Sequence, residues 1–119
     1  MGWPGWINNL KSAEKRFLNK GGYFVKNNGL SIVIPIYNEK DSIEETINQF
    51  SQIQIDSDFD IEIILVNDGS DDGTETVLDK ASNQTFNVIS HATNCGYGAA
   101  LKTGIGSAKY NYIGITIFA

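Results

Sequence analysis

Residues 61–74 read IEIILVNDGSDDGT, and this stretch decides the fold that the rest of the sequence predicts. Its first six residues are apolar apart from Glu62, a composition typical of a strand that is covered on both faces inside a parallel sheet. Turn-forming residues follow at 67–74, and helical spacing resumes over 77–81. A buried strand that runs through a carboxylate-bearing turn into a helix is typical of an α/β protein that presents polar groups to a ligand.

Further strands are predicted on either side of this central one, with helices between them. Ser42 and Glu45 have the spacing of a capping box at the start of the first helix, and small residues across 100–108 indicate a helical face that can lie close to a sheet. The alternating order predicts a three-layer, Rossmann-like α/β fold with a mostly parallel sheet. The predicted strands are 31–36, 61–66, 86–90 and 110–115, with a polar connection at 52–60 and a loop at 91–98.

Residues 1–29 differ from residues 30–119 and are interpreted as a basic N-terminal extension. Apolar residues recur in it at helical spacing, which predicts a short amphipathic helix that ends at Gly21 and Gly22. This helix could contact a membrane surface through residues 1–20, pack on the domain, or serve as a mobile leader. The apolar positions of the predicted helix are Trp6, Leu10, Ala13, Phe17 and Leu18.

Composition limits the classes of function. A length of 119 residues suits one domain, and the net charge of −5 disfavours nucleic acid as the main partner, because phosphate binding needs clustered cations. The single cysteine, Cys95, excludes an intramolecular disulfide and favours a reducing compartment. Because no run resembles a signal peptide or a membrane span, we expect a cytoplasmic protein, with peripheral contact on the cytoplasmic membrane face as an extension of that prediction.

Polar side chains follow the predicted strands where each strand ends. The first strand leads into Tyr37 and Glu39, the central strand into Asp68, and the third into a glycine-containing loop at 94–98. Because the carboxyl ends of parallel strands meet at one edge of a sheet, we expect these groups to share a ligand site there.

Other motifs in these loops are weaker. Gly96 and Gly98 begin a dinucleotide-binding fingerprint, but Leu101 stands where its last glycine should be, so a nicotinamide site is disfavoured. His91 is interpreted as a surface or hydrogen-bonding loop residue. Cys95 is interpreted as a small loop side chain rather than a nucleophile.

Three motifs together resemble the inverting family-two glycosyltransferases, which have an A-type fold. They are SIVIPIYNE at 31–39, ILVNDGSDDGT at 64–74 and NCGYGAALKTGI at 94–105, in the order and at the spacing of that family. Within the family the chain looks most similar to the polyprenyl-phosphate sugar transferases, such as the dolichyl-phosphate mannose synthases. The resemblance covers residues 31 to about 116 and implies that 30–119 is the N-terminal, nucleotide-binding part of such a domain.

The resemblance also implies a donor site across the first and second strand ends. An aromatic ring can stack on a base, and a carboxylate can accept the imide or amino hydrogen of uracil or guanine, so the implied donors are UDP- or GDP-linked sugars. A polyprenyl phosphate is the implied acceptor. The residues implied in nucleotide-sugar binding are Pro35, Tyr37, Glu39, Val66, Asp68, Gly96, Gly98 and Lys102.

The resemblance fails at the C-terminus. In the family, the fourth strand runs into an Asp-x-Asp motif that holds Mg²⁺ or Mn²⁺, and this motif should start at position 117. The chain has Ile117, Phe118 and Ala119 there, none of which ligates a hard cation. No catalytic or metal residue is therefore assigned, and we expect the chain alone to lack transfer activity. A non-catalytic nucleotide-binding or regulatory module, or a flavodoxin-like interaction domain, are the alternative interpretations.

Overall fold

The alternation of strands and helices predicted from the sequence is confirmed. A computed structural model describes residues 16–18, 24–26, 29–56, 60–81 and 86–116 of the chain. In chain order the elements are β1 (Arg16–Leu18), β2 (Phe24–Lys26), β3 (Gly29–Ile36), α1 (Ile43–Asp56), β4 (Asp60–Asp68), α2 (Thr74–Ala81), β5 (Phe86–His91), α3 (Tyr97–Ser107) and β6 (Tyr112–Ile115).

The main sheet is parallel, with the strand order β5-β4-β3-β6. Alternate residues of a strand face opposite sides, and here both sides are covered. On one side Ile32 and Ile34 of β3 pack with residues of α1 and α2, whereas on the other Val33 packs with Ala100 of α3. This three-layer arrangement explains why residues 63–68 of β4 are all buried.

Helix α3 packs closely on the sheet at Gly104, as its small residues predicted. A Cβ atom added at Gly104 would lie 2.3 Å from Cγ1 of Val33 and 3.1 Å from Cγ2 of Val66. Ala100, one turn earlier, is completely buried, whereas Ile105 points away and is exposed. The absence of a side chain at Gly104 therefore sets the distance between α3 and the sheet.

A polar network lies at the amino end of the sheet, where β6 begins. Ser31 is completely buried, and its hydroxyl donates a 2.8 Å hydrogen bond to Oε1 of Glu62, its register partner on β4. The same hydroxyl accepts the backbone N–H of Tyr110 at 3.2 Å, and Glu62 accepts the backbone N–H of Lys109 at 3.0 Å. The approach of the chain to β6 is thus fixed by hydrogen bonds to β3 and β4.

Two predicted elements differ from the structure by more than two residues. Residues 16–18, placed in an amphipathic helix, form strand β1, which pairs antiparallel with β2. The short connection between them contains Gly21 and Gly22, and its aromatic and β-branched flanks suit a hairpin better than a helix. The rest of the predicted helix, residues 1–15 and 19–22, lies outside the described residues. Among the helices that the structure describes, none combines the length and the apolarity needed to cross a membrane.

The second difference is at the end of α1. This helix continues to Asp56, into the stretch predicted as a polar connection. Ile53 is buried in the same cluster as Ile43 and Phe50. Because it continues their apolar face at helical spacing, core packing extends the helix through polar neighbours.

Candidate functional site

The candidate site lies at the carboxyl edge of the sheet, on the face covered by α3. Strand β4 continues through Asp68, two residues beyond the predicted end, and there Asp68 is the register partner of His91 on β5. The Asp68 side chain is nearly buried, with 4% of the residue exposed. Nδ1 of His91 lies 2.7 Å from Oδ1 of Asp68. The two parallel strands are thus joined at their ends by side chains.

The loop before α3 closes around the same carboxylate. The backbone N–H of Cys95 donates to Oδ1 of Asp68 at 2.9 Å, and that of Gly96 donates to Oδ2 at 2.8 Å. The amide of Asn94 donates to the backbone carbonyl of Asp68 at 3.2 Å. Asp68 therefore positions both the His91 side chain and the loop before α3.

These contacts determine the ionisation of the Asp68 carboxyl. Burial acts to raise its pKa, but the N–H groups of Cys95 and Gly96 and the imidazole of His91 outweigh burial, so the pKa lies below its ordinary value of 3.8. The group is a carboxylate at neutral pH. It can only accept hydrogen bonds, so His91 must donate from Nδ1.

His91 also connects the sheet to α3. Its Nε2 lies 2.8 Å from Oγ1 of Thr103. The hydroxyl of Thr103 can donate to this nitrogen or accept from it, so the contact suits either role of Nε2. The prediction that His91 forms hydrogen bonds is confirmed, although it ends β5 rather than lying in a loop.

The loops after β3 and β4 are also linked to each other. We call residues 37–42, 69–73 and 92–96, which follow β3, β4 and β5, the carboxyl-edge loops. Backbone N–H groups of the first two donate to side chains across the boundary between them. The bonds are Asn38 N–H to Ser70 Oγ (3.0 Å), Asp71 N–H to Asn38 Oδ1 (2.9 Å), Glu39 N–H to Thr74 Oγ1 (3.0 Å) and Lys40 N–H to Asp72 Oδ2 (3.3 Å).

Contact with the third carboxyl-edge loop is made at Gly69. This residue has φ of +71°, and a Cβ atom added to it would lie 2.4 Å from the backbone nitrogen of Asn94. Any larger residue would be strained and would also push the two loops apart. The three carboxyl-edge loops thus form one continuous surface.

The sequence of this folded region matches a known family. The model of glycosyl transferase family 2 matches residues 31–116, which include β4, β5, β6 and all of β3 except its first two residues. The chain belongs to glycosyltransferase family 2.

Curated relatives of this family-2 chain include two bacterial proteins. The poly-beta-1,6-N-acetyl-D-glucosamine synthase of Staphylococcus epidermidis is 33% identical over 86 residues, which cover 71% of this chain and 20% of that protein. The uncharacterized glycosyltransferase EpsJ of Bacillus subtilis is 36% identical over 86 residues, which cover 71% of this chain and 24% of that protein. The chain therefore spans about a fifth to a quarter of the length of these relatives.

Solved structures confirm the fold. A mannosyltransferase from Pyrobaculum calidifontis, in complex with GDP-Man and Mn²⁺, superposes with a TM-score of 0.64 at 19% identity, covering 94% of this chain and 32% of that one. The glucosyl-3-phosphoglycerate synthase of Mycobacterium tuberculosis, in complex with Mn²⁺, UDP and glucosyl-3-phosphoglycerate, gives a TM-score of 0.63 at 26% identity, covering 98% and 39%. The chain has the α/β fold of nucleotide-sugar transferases.

The site residues predicted after β3 and β4 fall into accessible and buried groups. Tyr37 is 46% exposed, and the partly buried Glu39 accepts the hydroxyl of Ser42 at 3.1 Å through Oε2. Pro35 and Val66 are register partners, and Val66 is completely buried beneath α3. The Ser42 hydroxyl, at the residue before α1, donates to Glu39, and the capping box with Glu45 stays a prediction.

The remaining predicted site residues lie at the start of α3. Gly96 is the N-cap residue, with φ of 98°. Gly98 and Lys102 are exposed, in the first and second turns of the helix. Thr103, which contacts His91, was missed, because the sequence did not show which residue of β5 would lie opposite Asp68.

The hard cation that the family resemblance implies does not fit the described residues. At the carboxyl end of β6, Ile115 is followed by Thr116, and residues 117–119, which lie outside the described residues, have no carboxylate side chain. Mg²⁺ and Mn²⁺ need several oxygen ligands, and the described end of β6 offers no carboxylate side chain.

Proposed function

We propose that this chain is the donor-binding part of a family-2 glycosyltransferase domain and that its carboxyl-edge loops bind the nucleotide of a nucleotide-diphosphate sugar. One observation carries the proposal: the three loops form a continuous surface, and Asp68 bonds to both His91 and the loop before α3. Support comes also from the two similar structures, whose complexes contain GDP-Man in one case and UDP in the other.

The nucleoside would lie against Tyr37 and Asp68. Tyr37 is 46% exposed, and its ring offers a face on which a base can stack. A carboxylate has about four acceptor positions, and Asp68 uses three of them on His91, Cys95 and Gly96. The remaining position, on Oδ2, would accept the imide hydrogen of uracil or the N1 hydrogen of guanine.

The diphosphate would lie at the amino end of α3. The backbone N–H of Ala100 makes the first intrahelical bond, to the carbonyl of Gly96, which leaves the N–H groups of residues 97–99 directed beyond the helix end. The helix dipole adds partial positive charge at that end. Gly98 leaves space, since a Cβ atom added there would meet nothing within 4 Å, and the cation of Lys102 is exposed one turn along.

This arrangement can bind and orient a donor, but it does not supply the transfer step. Displacement at the sugar needs a base for the acceptor and charge compensation for the departing diphosphate. The described residues offer neither at the end of β6. We therefore propose that the 119-residue chain binds nucleotide without transferring sugar, and that transfer needs the further length found in its relatives.

The acceptor and location are a further part of the proposal. We propose a polyprenyl phosphate acceptor and peripheral contact with the cytoplasmic membrane face. Support comes from the sequence of residues 1–29, which combines two tryptophans with five basic residues against Glu14 as its sole acid.

Isothermal titration calorimetry with UDP and GDP, each with and without Mn²⁺, tests the nucleotide site. We expect binding of at least one nucleotide without metal, and a several-fold loss of affinity in Lys102→Gln. Lys109→Gln is the matched control, because Lys109 is also exposed but lies at the opposite end of the sheet, beside Glu62. The proposal would be refuted if neither UDP nor GDP binds. An equal loss of affinity in Lys102→Gln and Lys109→Gln would also refute it.

The non-catalytic module is distinguished by activity rather than by binding. Both interpretations predict that the 119-residue chain binds nucleotide. A longer polypeptide that contains this domain should transfer labelled sugar to a polyprenyl phosphate if the transferase proposal is correct. Nucleotide binding without transfer by that longer polypeptide would favour the module.

A further inference from the structure

We propose that Asp68, His91 and Cys95 form a binding site for a thiophilic divalent cation such as Zn²⁺ or Cd²⁺. The three residues come from the end of β4, the end of β5 and the loop before α3. One ligand atom from each lies within 4.8 Å of the other two. The inference depends on this cluster alone and not on the proposed nucleotide site.

The donor set suits a borderline or soft cation. Zn²⁺ takes carboxylate oxygen, imidazole nitrogen and thiolate sulfur, whereas Mg²⁺ takes oxygen almost alone. His91 is the only histidine of the chain and Cys95 its only cysteine. The fold brings both of them to one nearly buried carboxylate, that of Asp68.

The distances require only small adjustments. Bond lengths of about 2.0–2.3 Å around a tetrahedral Zn²⁺ place its ligand atoms roughly 3.3–3.6 Å apart. Nδ1 of His91 and Oδ1 of Asp68 are 2.7 Å apart, so they would separate by roughly half an ångström as the cation replaces the proton between them. The sulfur of Cys95 would move inward by roughly an ångström, which rotation of its exposed side chain allows.

Neighbouring groups already orient two of the three ligands. The N–H groups of Cys95 and Gly96 hold the Asp68 carboxylate, and Thr103 contacts Nε2 of His91. With a cation on Nδ1, the imidazole proton would sit on Nε2 and be donated to Oγ1 of Thr103. Hydrogen bonds of this kind fix the ring of a metal-binding histidine and raise its affinity.

Binding of the cation releases a proton from the protein to solvent. Starting from the neutral ring, the proton on Nδ1 passes to solvent while Nε2 takes one from solvent, so the imidazole keeps one proton; the thiol of Cys95 releases its proton to solvent and becomes a thiolate. With Asp68 already ionised, the ligands carry two negative charges, which match the charge of the cation. Water fills the fourth position, on the exposed side of the site where Cys95 lies.

This site differs in both place and chemistry from the one implied by the family resemblance. That site would hold Mg²⁺ or Mn²⁺ beyond β6, at position 117. The cluster proposed here lies at the ends of β4 and β5 and contains sulfur and nitrogen ligands. A cation here would also fasten the loop before α3 to the sheet.

Titration of the 119-residue chain with Cd²⁺ tests the site through the ultraviolet charge-transfer band of a sulfur–cadmium bond. We expect one ion per chain, competition by Zn²⁺ and no competition by equimolar Mg²⁺. Cys95→Ser should abolish the band. His91→Gln, which keeps the thiol, should weaken Cd²⁺ binding at least tenfold, and Asn87→Ala on the exposed face of β5 should leave it unchanged.

Each alternative has a distinct result. An affinity in His91→Gln equal to that of the unchanged chain would mean that the exposed thiol binds alone, and one ion per two chains would mean that Cys95 bridges copies; either result overturns the proposal. X-ray absorption spectroscopy of the Zn²⁺-loaded chain gives a test that needs no variant. One sulfur with nitrogen and oxygen ligands supports the site, whereas a shell of oxygen alone, or of several sulfurs, refutes it.

Discussion

His91 and Asp68 are register partners at the ends of neighbouring parallel strands, and Nδ1 of His91 lies 2.7 Å from Oδ1 of Asp68. The imidazole reaches α3 on its other side, through Thr103. One side chain thus links β4, β5 and α3 at the edge where ligands bind in open α/β sheets.

Replacing His91 should destabilise the fold. His91→Gln removes a charge-assisted partner from a nearly buried carboxylate, and we expect a loss of about 1–3 kcal/mol in the free energy of unfolding. Urea denaturation followed by circular dichroism measures it. Asn87→Ala, at an exposed position of the same strand, should change stability by less than about 0.5 kcal/mol. Equal stabilities for the two variants would show that the His91–Asp68 contact contributes little.

Two glycines of α3 should respond in opposite directions to alanine. In Gly104→Ala the new methyl group would meet Cγ1 of Val33 at 2.3 Å, so α3 must move outward, and we expect a loss of about 1–3 kcal/mol. Gly106→Ala meets nothing within 4 Å and should gain up to about 1 kcal/mol from the lower entropy of the unfolded chain. Thermal and urea unfolding of both variants give the comparison. Destabilisation of similar size in both would contradict the close packing at Gly104.

Asp72 should make stability depend on pH in the acid range. The hydroxyl of Thr74, together with the backbone N–H groups of Thr74 and Lys40, lowers the pKa of Asp72 below its ordinary value of 3.8. The folded state therefore favours the charged form, and this contribution is complete above the ordinary pKa and is lost as the pH falls through the folded one.

The variant Asp72→Asn separates this contribution from that of other acids. The free energy of unfolding of the variant and of the unchanged chain is measured from neutral pH down to about pH 3. The difference between the two should be largest at neutral pH and should shrink as the pH falls below about 4. A difference that stays constant over the whole range would mean that the charge of Asp72 has no role.

Tyr37 should contribute to nucleotide affinity through its ring. If a base stacks on it, Tyr37→Ala should weaken UDP or GDP binding about tenfold or more, since stacking of a base on an aromatic side chain contributes about 1–3 kcal/mol. Tyr37→Phe keeps the ring and should bind nearly as well, as measured by calorimetry. Unchanged affinity in Tyr37→Ala would show that the base does not stack on Tyr37.

The sequence predicts the core of the fold well because its strongest signals are local. The run at 61–66, apolar apart from Glu62, is typical of a strand covered on both faces, and polar residues follow each strand at one edge. The errors arise where a distant contact decides. Apolar spacing near Phe17 suits a helix or a hairpin, and pairing with β2 selects the hairpin. Ile53 extends α1 because it packs in the core.

The sequence predicted where the candidate site lies but not which residues form hydrogen bonds with Asp68. Asp68 follows a buried strand, so its place at the carboxyl edge could be inferred. Its partners depend on the register of β5 and on the path of a loop, because His91 lies 23 positions and Gly96 28 positions further along the chain. No periodicity encodes such pairs, and Thr103 could be recognised only after α3 was placed beside β5.

The buried hydroxyl of Ser31 has a consequence for assembly of the sheet. It donates to Glu62 and accepts the N–H of Tyr110, which precedes the last strand. If that strand joined β3 one residue out of step, these polar groups would lose their partners inside the protein and the isoleucines of β6 would exchange faces. A misaligned strand thus loses both buried hydrogen bonds and core packing. The contacts at the amino end of the sheet therefore stabilise the register that aligns the strands at the opposite, ligand-binding edge.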